Sequence, residues 1–189
     1  MNPILERLKN IQKQDPRHET EGPRDYIFCQ RVEDWIQKLT SSPSEALILS
    51  AWGHVLYRWA VPRESYPQNT SGYHQWRRAQ AQKSAEETNK ILIEEKGSDE
   101  LQKKVRTLIL KTTFPQDPES RVLEDATCLV FLETKLEEYI SQWDETKTIR
   151  ILKGTLEKMT PQAIQLALKV PLSPLGKHLV EKTLPLIVF

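Results

Sequence analysis

Residues 122–140 read VLEDATCLVFLETKLEEYI. Val122, Leu123, Ala126, Leu129, Val130, Leu132, Leu136, Tyr139 and Ile140 recur at the helical period, in a band wider than one face. A helix apolar over so much of its circumference belongs in the middle of a bundle, with neighbours on several sides. The flanking segments carry narrower stripes. Ile4, Leu5, Leu8 and Ile11 mark a short amphipathic helix, and Phe28, Val32, Trp35, Ile36 and Leu39 mark a second. A third, with Ala46, Leu47, Leu49, Trp52, Leu56 and Trp59, opens at Pro43 behind a Ser cap and runs until Pro62. A long helix is predicted from about Tyr73 to Lys96 and ended by Gly97; Ser98 caps the next, which bears Leu101, Val105, Leu108 and Ile109. Helices near 145–158, 160–169 and 173–184 complete the chain, with Val170–Pro174 a proline-broken link and LPLIVF a short apolar tail. No segment alternates as a half-buried strand does. The expectation is an all-α fold, a single-domain helical bundle over residues 1–189.

Composition narrows the function. Six Gly is about half the usual share of roughly 7%, which argues against Gly-rich phosphate loops. The two Cys, Cys29 and Cys128, stand far apart without partners at metal-ligand spacing, so zinc-knuckle, iron–sulfur and disulfide-scaffold readings fall away. The first fifteen residues, MNPILERLKNIQKQD, lack the apolar core of a signal peptide, and no apolar run approaches the ~18 residues of a membrane span. A cytoplasmic protein with no membrane partner is expected.

The overall charge is +1, but its distribution is uneven. From Arg58 to Lys111 there are eleven Lys and Arg against seven Asp and Glu, interleaved with Trp59, Tyr66, Tyr73 and Trp76. Basic residues among aromatics suit a polyanion surface; a solvated helical face is the alternative. Within this region His54 and Arg58 are four apart, which on a continuous helix puts them on one face. A histidine so flanked could serve as a base, a metal ligand or an orienting group, or simply pack. Arg63, Arg77 and Arg78 could fork a phosphate or carboxylate. Glu124 and Asp125 lie at the edge of a very apolar helix, where an acid must be paired, bind a cation or carry a raised pKa. Lys111 ends an apolar helix, where it could complement the helix dipole or reach out to water. The chain has no zinc motif and no nucleophile-elbow serine.

Read in order, GHVLYRWAVPRESYP, SGYHQWRR, VRTLILK and DPESRVLEDATCLVFLE resemble the motif series of an uncharacterised microbial and fungal family, a domain of unknown function loosely labelled glutamyl-tRNA-synthetase-like. The resemblance covers about residues 23–182 and rests on H-x-x-x-R-W-x-x-P-R, Y-P, G-Y-x-x-W-R and L-E-D-x-x-C-L-V-F-L. It implies an HD-domain-like helical fold whose metal-binding His, His and Asp come from separate helices. Carried over, the first His is His54 and the Asp is Asp125, but the middle position holds Ser84, and Gly53 stands where the family usually has Gln. A site short of one ligand is weak, so no metal and no other cofactor is expected; His54 and Asp125 would be the ligands of any metal that did bind.

A related branch, the arginine-containing cyclodipeptide synthases, joins amino acids delivered as aminoacyl-tRNAs. What the resemblance then implies is an aminoacyltransferase of peptide-bond-forming type, with an aminoacyl-tRNA (an arginyl-tRNA among the substrates) as partner and no DNA. Arg58, Arg63, Arg77, Arg78, Lys103, Lys104 and Arg106, with Tyr66, Tyr73 and Trp76, would hold the tRNA. His54 would take a proton from the amine or from Ser84, Lys111 would assist, and Glu124 and Asp125 would receive a guanidinium. The alternatives are a metal-dependent phosphohydrolase acting on a nucleotide, and a non-catalytic binding module on the same fold.

Overall fold

Ten α-helices follow one another along residues 2–187, the span that the computed structural model describes. They are α1 (Pro3–Gln12), α2 (Arg24–Leu39), α3 (Glu45–Gly53), α4 (Thr70–Glu94), α5 (Asp99–Leu110), α6 (Pro118–Thr134), α7 (Leu136–Gln142), α8 (Glu145–Leu156), α9 (Pro161–Ala167) and α10 (Pro174–Thr183). The all-α expectation holds. The one extended pairing among the described residues is a two-residue antiparallel ladder, His18–Glu19 against Gly22–Pro23, inside the charged loop before α2. The last two residues of the tail LPLIVF lie outside the described residues. No described helix is long and apolar enough to cross a membrane.

Side-chain caps set most of the helix starts. Asn2, Ser44, Asn69, Ser98, Asp117, Asp144, Thr160 and Ser173 each accept a hydrogen bond from a backbone N–H of the first turn, satisfying donors that have no partner within the helix. Proline follows the cap directly in α1, α6, α9 and α10, where its missing N–H costs nothing.

Helix α6 is the hub. Leu123, Ala126 and Val130 join a core built from α1 to α5, while Cys128, Leu129 and Leu132 join a second core with α7 to α10. Trp35 and Leu39 of α2 pack against both. The broad apolar band of residues 122–140 thus has the two-sided burial that its width predicts, with one correction. The band is two helices: α6 ends at Thr134, and α7 begins beyond a break at Lys135.

Four further boundaries differ from the sequence reading. The third helix ends at Gly53 rather than running to Trp59, because Tyr57 adopts a left-handed conformation (φ 56°) and a short 3-10 turn, Arg58–Ala60, takes over. Its cap is Ser44, not the Ser before Pro43. The long helix starts at Thr70, since the Asn69 side chain already caps it. At its far end the left-handed residue is Lys96 (φ 58°) rather than Gly97; the amide of Gly97 reaches the Leu92 carbonyl at 2.7 Å, the bonding of a Schellman end.

Gly53 is fixed by crowding rather than by its own torsions. A Cβ there would stand 2.7 Å from Thr88 Oγ1 and 2.9 Å from Thr88 Cγ2 on α4. The Thr88 hydroxyl also donates to the Gly53 carbonyl at 3.3 Å. A glutamine at this position would have to push α4 away from α3. Gly53→Ala is therefore expected to lower stability by about 1–3 kcal/mol, the usual range for overpacking. Thermal denaturation reads the loss, and adding Thr88→Ala in the same chain should recover part of it.

Candidate functional site

The turn after α3 and the first half of α4 enclose a cleft of about 750 Å³. Its floor is apolar (Val55, Ile109, Leu110), and its walls carry Arg58, Arg77, Arg78 and Lys111 together with His54 and His74. No carboxylate lines it among the described residues. Thr70, His74, Arg77, Arg78 and Ala81 reach the cleft from one face of α4, as spacings of four, three, one and three residues require. Those spacings could have identified His74 and Thr70 from sequence. Thr127, Phe28 and Gln80, which also line the cleft, gave no comparable signal.

His54 is the C-cap of α3. Its Nδ1 lies 2.9 Å from the Ala51 carbonyl and 3.2 Å from that of Ser50. Both partners are acceptors, so the proton sits on Nδ1 and Nε2 presents a lone pair. Nε2 has no hydrogen-bond partner and no exposed surface of its own, although the residue as a whole keeps some exposure. Burial, and then the positive charges of Lys111 and Arg58, push the imidazole down to about 3. The group is a neutral acceptor facing cations.

Arg58 and His54 do not share a helix face, because the left-handed Tyr57 lies between them; the turn brings both to the cleft by another route. The guanidinium of Arg58 is bonded to Asp25, which is fully buried and also pairs with Arg17 at 2.5 Å. Arg17 in turn grips Asp15 at 3.0 Å, and the ring of Phe28 lies under Arg58 at 5.0 Å. Arg58 is thus held from behind and presents one edge to the cleft.

The other candidates separate into groups. Lys111 takes a left-handed conformation (φ 55°) at the end of α5, and its ammonium is bonded to Glu124. Burial would raise the Glu124 carboxyl, but Lys111 and Lys158 hold it below its ordinary value. Asp125 points elsewhere: its two oxygens accept from the Thr160 amide at 2.8 Å and the Thr160 hydroxyl at 2.6 Å, fastening the start of α9 to α6. Burial raises its pKa, against those two bonds. Ser84 is fully buried, and its hydroxyl donates to the Leu56 carbonyl at 2.9 Å. Neither Ser84 nor Asp125 lines the cleft that His54 borders. Both oxygens of Asp125 and the Ser84 hydroxyl are spent on internal contacts, and among the described residues no group of three His, Cys, Asp or Glu is placed to hold a metal. These side chains do not fit an HD-type metal centre.

Among the expected tRNA contacts, Arg63, Tyr73 and Trp76 line a second cavity that shares Arg58 and Arg77 with the first. Arg63 closes the loop 62–69 by donating to the carbonyls of Tyr66 (3.1 Å) and Asn69 (3.4 Å), so Tyr66 serves the loop and lines neither cavity. The loop packs on Gly72, where a Cβ would meet the Pro67 carbonyl oxygen at 2.0 Å. Lys104 is paired with Asp117 (2.7 Å) and Glu119 (3.1 Å) at the start of α6. Lys103 and Arg106 are exposed on α5 outside both cavities.

The imidazole of His54 has a consequence for stability. The unfolded chain carries an ordinary imidazole of about 6.5 and the folded one about 3, so between those values the unfolded state binds more protons. Stability is then expected to fall as pH drops below about 6.5. Melting temperatures between pH 7 and 5 should drop less for His54→Asn than for the parent. By NMR, the His54 ring signals should stay unchanged over that range.

No curated protein and no solved structure matches the chain. The profile described as Domain of unknown function (DUF4202) matches residues 2–180, which takes in α1 as well as the motif series. The chain belongs to that family.

Proposed function

We propose that the chain is an aminoacyl-tRNA-dependent, peptide-bond-forming enzyme of the arginine-containing cyclodipeptide synthase kind, with the 750 Å³ cleft receiving the charged end of the tRNA. The observation that supports this most is the cleft's electrostatics: four cationic side chains, no lining carboxylate among the described residues and a neutral imidazole with a free lone pair. Such walls suit a phosphodiester, and they suit a substrate that arrives already activated.

In the reaction the α-amine of one aminoacyl group attacks the ester carbonyl of another. The new C–N bond forms, the C–O bond to the tRNA ribose breaks, and the proton shed by the amine passes to the ribose oxygen. His54 Nε2, buried in this structure and uncovered when the cleft wall opens for substrate, accepts the amine proton and relays it to the ribose oxygen. Phosphates beside Arg58 and Lys111 offset the two charges that depress the imidazole, so its basicity rises when substrate is bound. A second, intramolecular attack closes the ring. Glu124 is a poor receiver of a substrate guanidinium because Lys111 and Lys158 already neutralise it.

The phosphohydrolase reading would require Asp125 to release Thr160 and a further ligand to replace Ser84. Its geometry is the less favourable one. Protein expressed in a heterologous host, or incubated with arginyl-tRNA and a second aminoacyl-tRNA, is expected to yield a cyclic dipeptide detectable by mass spectrometry. His54→Ala should lower the rate by about 10²–10⁴, the usual range for a lost proton-handling group, while a paired Arg77→Ala and Arg78→Ala change should weaken tRNA retention and flatten its salt dependence. Absence of product with both charged tRNAs present would leave a binding module in place of the enzyme.

A further inference from the structure

The second cavity, about 590 Å³, shares Phe28, Arg58, Arg77 and Gln80 with the cationic cleft as a common wall. Its far side is aromatic, with Trp59, Tyr73, Trp76 and Tyr139. Tyr73 is 46% exposed, an unusual surface for a large ring, and its centroid is 5.7 Å from that of Trp76. Trp76 is held in place: its indole N–H donates to the Val61 carbonyl at 2.8 Å, and the Arg63 guanidinium lies 5.9 Å from its ring centroid.

The charges around this cavity are of three kinds, one of them the carboxylates of Glu19 and Glu64, of which Glu64 forms no ion pair among the described residues. Arg17, Arg24, Arg31 and Lys135 each face a carboxylate. Arg63 donates to backbone carbonyls and Arg77 to Gln80, so among the described residues neither is paired with an acid. A cavity wall that joins π faces to guanidinium groups whose charge no acid meets, beside a cationic cleft, has the chemistry of a single-stranded nucleotide platform. An acidic peptide would use the cations alone and leave the rings idle.

We propose that this second cavity is a stacking subsite for an unpaired base at the 3′ end of an RNA, with the adjoining phosphate on Arg77 in the shared wall. The subsite deepens the aminoacyl-transfer reading and rests on its placement of an RNA end in the neighbouring cleft. Tyr73 provides the exposed face on which the base stacks, and Trp76, tilted 52° against it, supports that ring from inside the cavity.

The test uses the full chain and the ribotrinucleotide CCA, uncharged, with tryptophan quenching as the readout of binding. Tyr73 is exposed and makes no hydrogen bond that the fold needs, so Tyr73→Ala should fold as the parent does, which circular dichroism checks. It is expected to bind the trinucleotide about tenfold more weakly, the size of one lost base stack, while Tyr73→Phe binds as the parent. Arg77→Ala should weaken binding and reduce its salt slope. Equal affinity for the parent and Tyr73→Ala overturns the subsite, as does no binding by the parent, or displacement of CCA by polyglutamate at equal charge. Product formation from charged tRNAs is scored separately. If product forms and Tyr73→Ala leaves CCA binding unchanged, the subsite falls and the aminoacyl-transfer reading stands. If CCA binding depends on Tyr73 and no product forms, that reading falls and the RNA subsite stands.

Discussion

Asp25 is the pin on which the candidate site turns. A fully buried carboxylate is costly unless its charge is met at close range, and here Arg17 meets it on one side and Arg58 on the other. The two arginines come from different places. Arg17 stands in the loop carrying the small ladder, and Arg58 in the turn after α3. Their shared partner therefore ties that loop, α2 and the turn together at one point. Removing Asp25 would leave Arg17 with Asp15 alone and Arg58 without an acid, free to swing away from the cleft. The network is held internally: the Asp25 amide donates to Asp15 at 3.0 Å, and Asp15 accepts three times more from Arg17, once from its amide and twice from its guanidinium.

Such pairing sorts the chain's cations. Lys104 is spent on Asp117 and Glu119, Lys111 and Lys158 on Glu124, and Lys83 and Lys90 on Glu87. Asp25 and Glu124 thus stand behind Arg58 and Lys111, no carboxylate lines the cleft among the described residues, and Glu64 lines the adjoining cavity. The local excess of positive charge in the sequence says only that such a surface is affordable. Its location follows from where the carboxylates fold, which composition does not carry.

The same distinction explains how much of the molecule was legible beforehand. The helices were readable because capping residues and apolar periodicity are local: Ser98, Asp117 and Thr160 act within four residues of themselves. The breaks at Tyr57 and Lys135 were not, since neither carries a glycine or proline to announce it. The site was half readable. His54, Arg58, Arg77, Arg78 and Lys111 do converge, but the route by which Arg58 reaches His54 is a left-handed turn rather than a helix face. Asp125 and Ser84 could not be placed from sequence, because an acid that fastens a helix start and an acid that binds a ligand look alike until the partner is seen. Thr160, the partner, stands thirty-five residues away.

Helix α6 shows why these assignments belong together. Its first half presents Glu124 to Lys111 at the edge of the cleft and Asp125 to Thr160 at the start of α9, from adjacent positions. Neighbouring residues on a helix point about 100° apart, so one of the pair must face the first core's edge and the other the second. Asp125 is committed to Thr160 and stands outside the cleft lining, while Lys111 neutralises Glu124 behind the cleft wall. Packing of α9 against α6 thereby withholds Asp125 from the cleft that the imidazole borders.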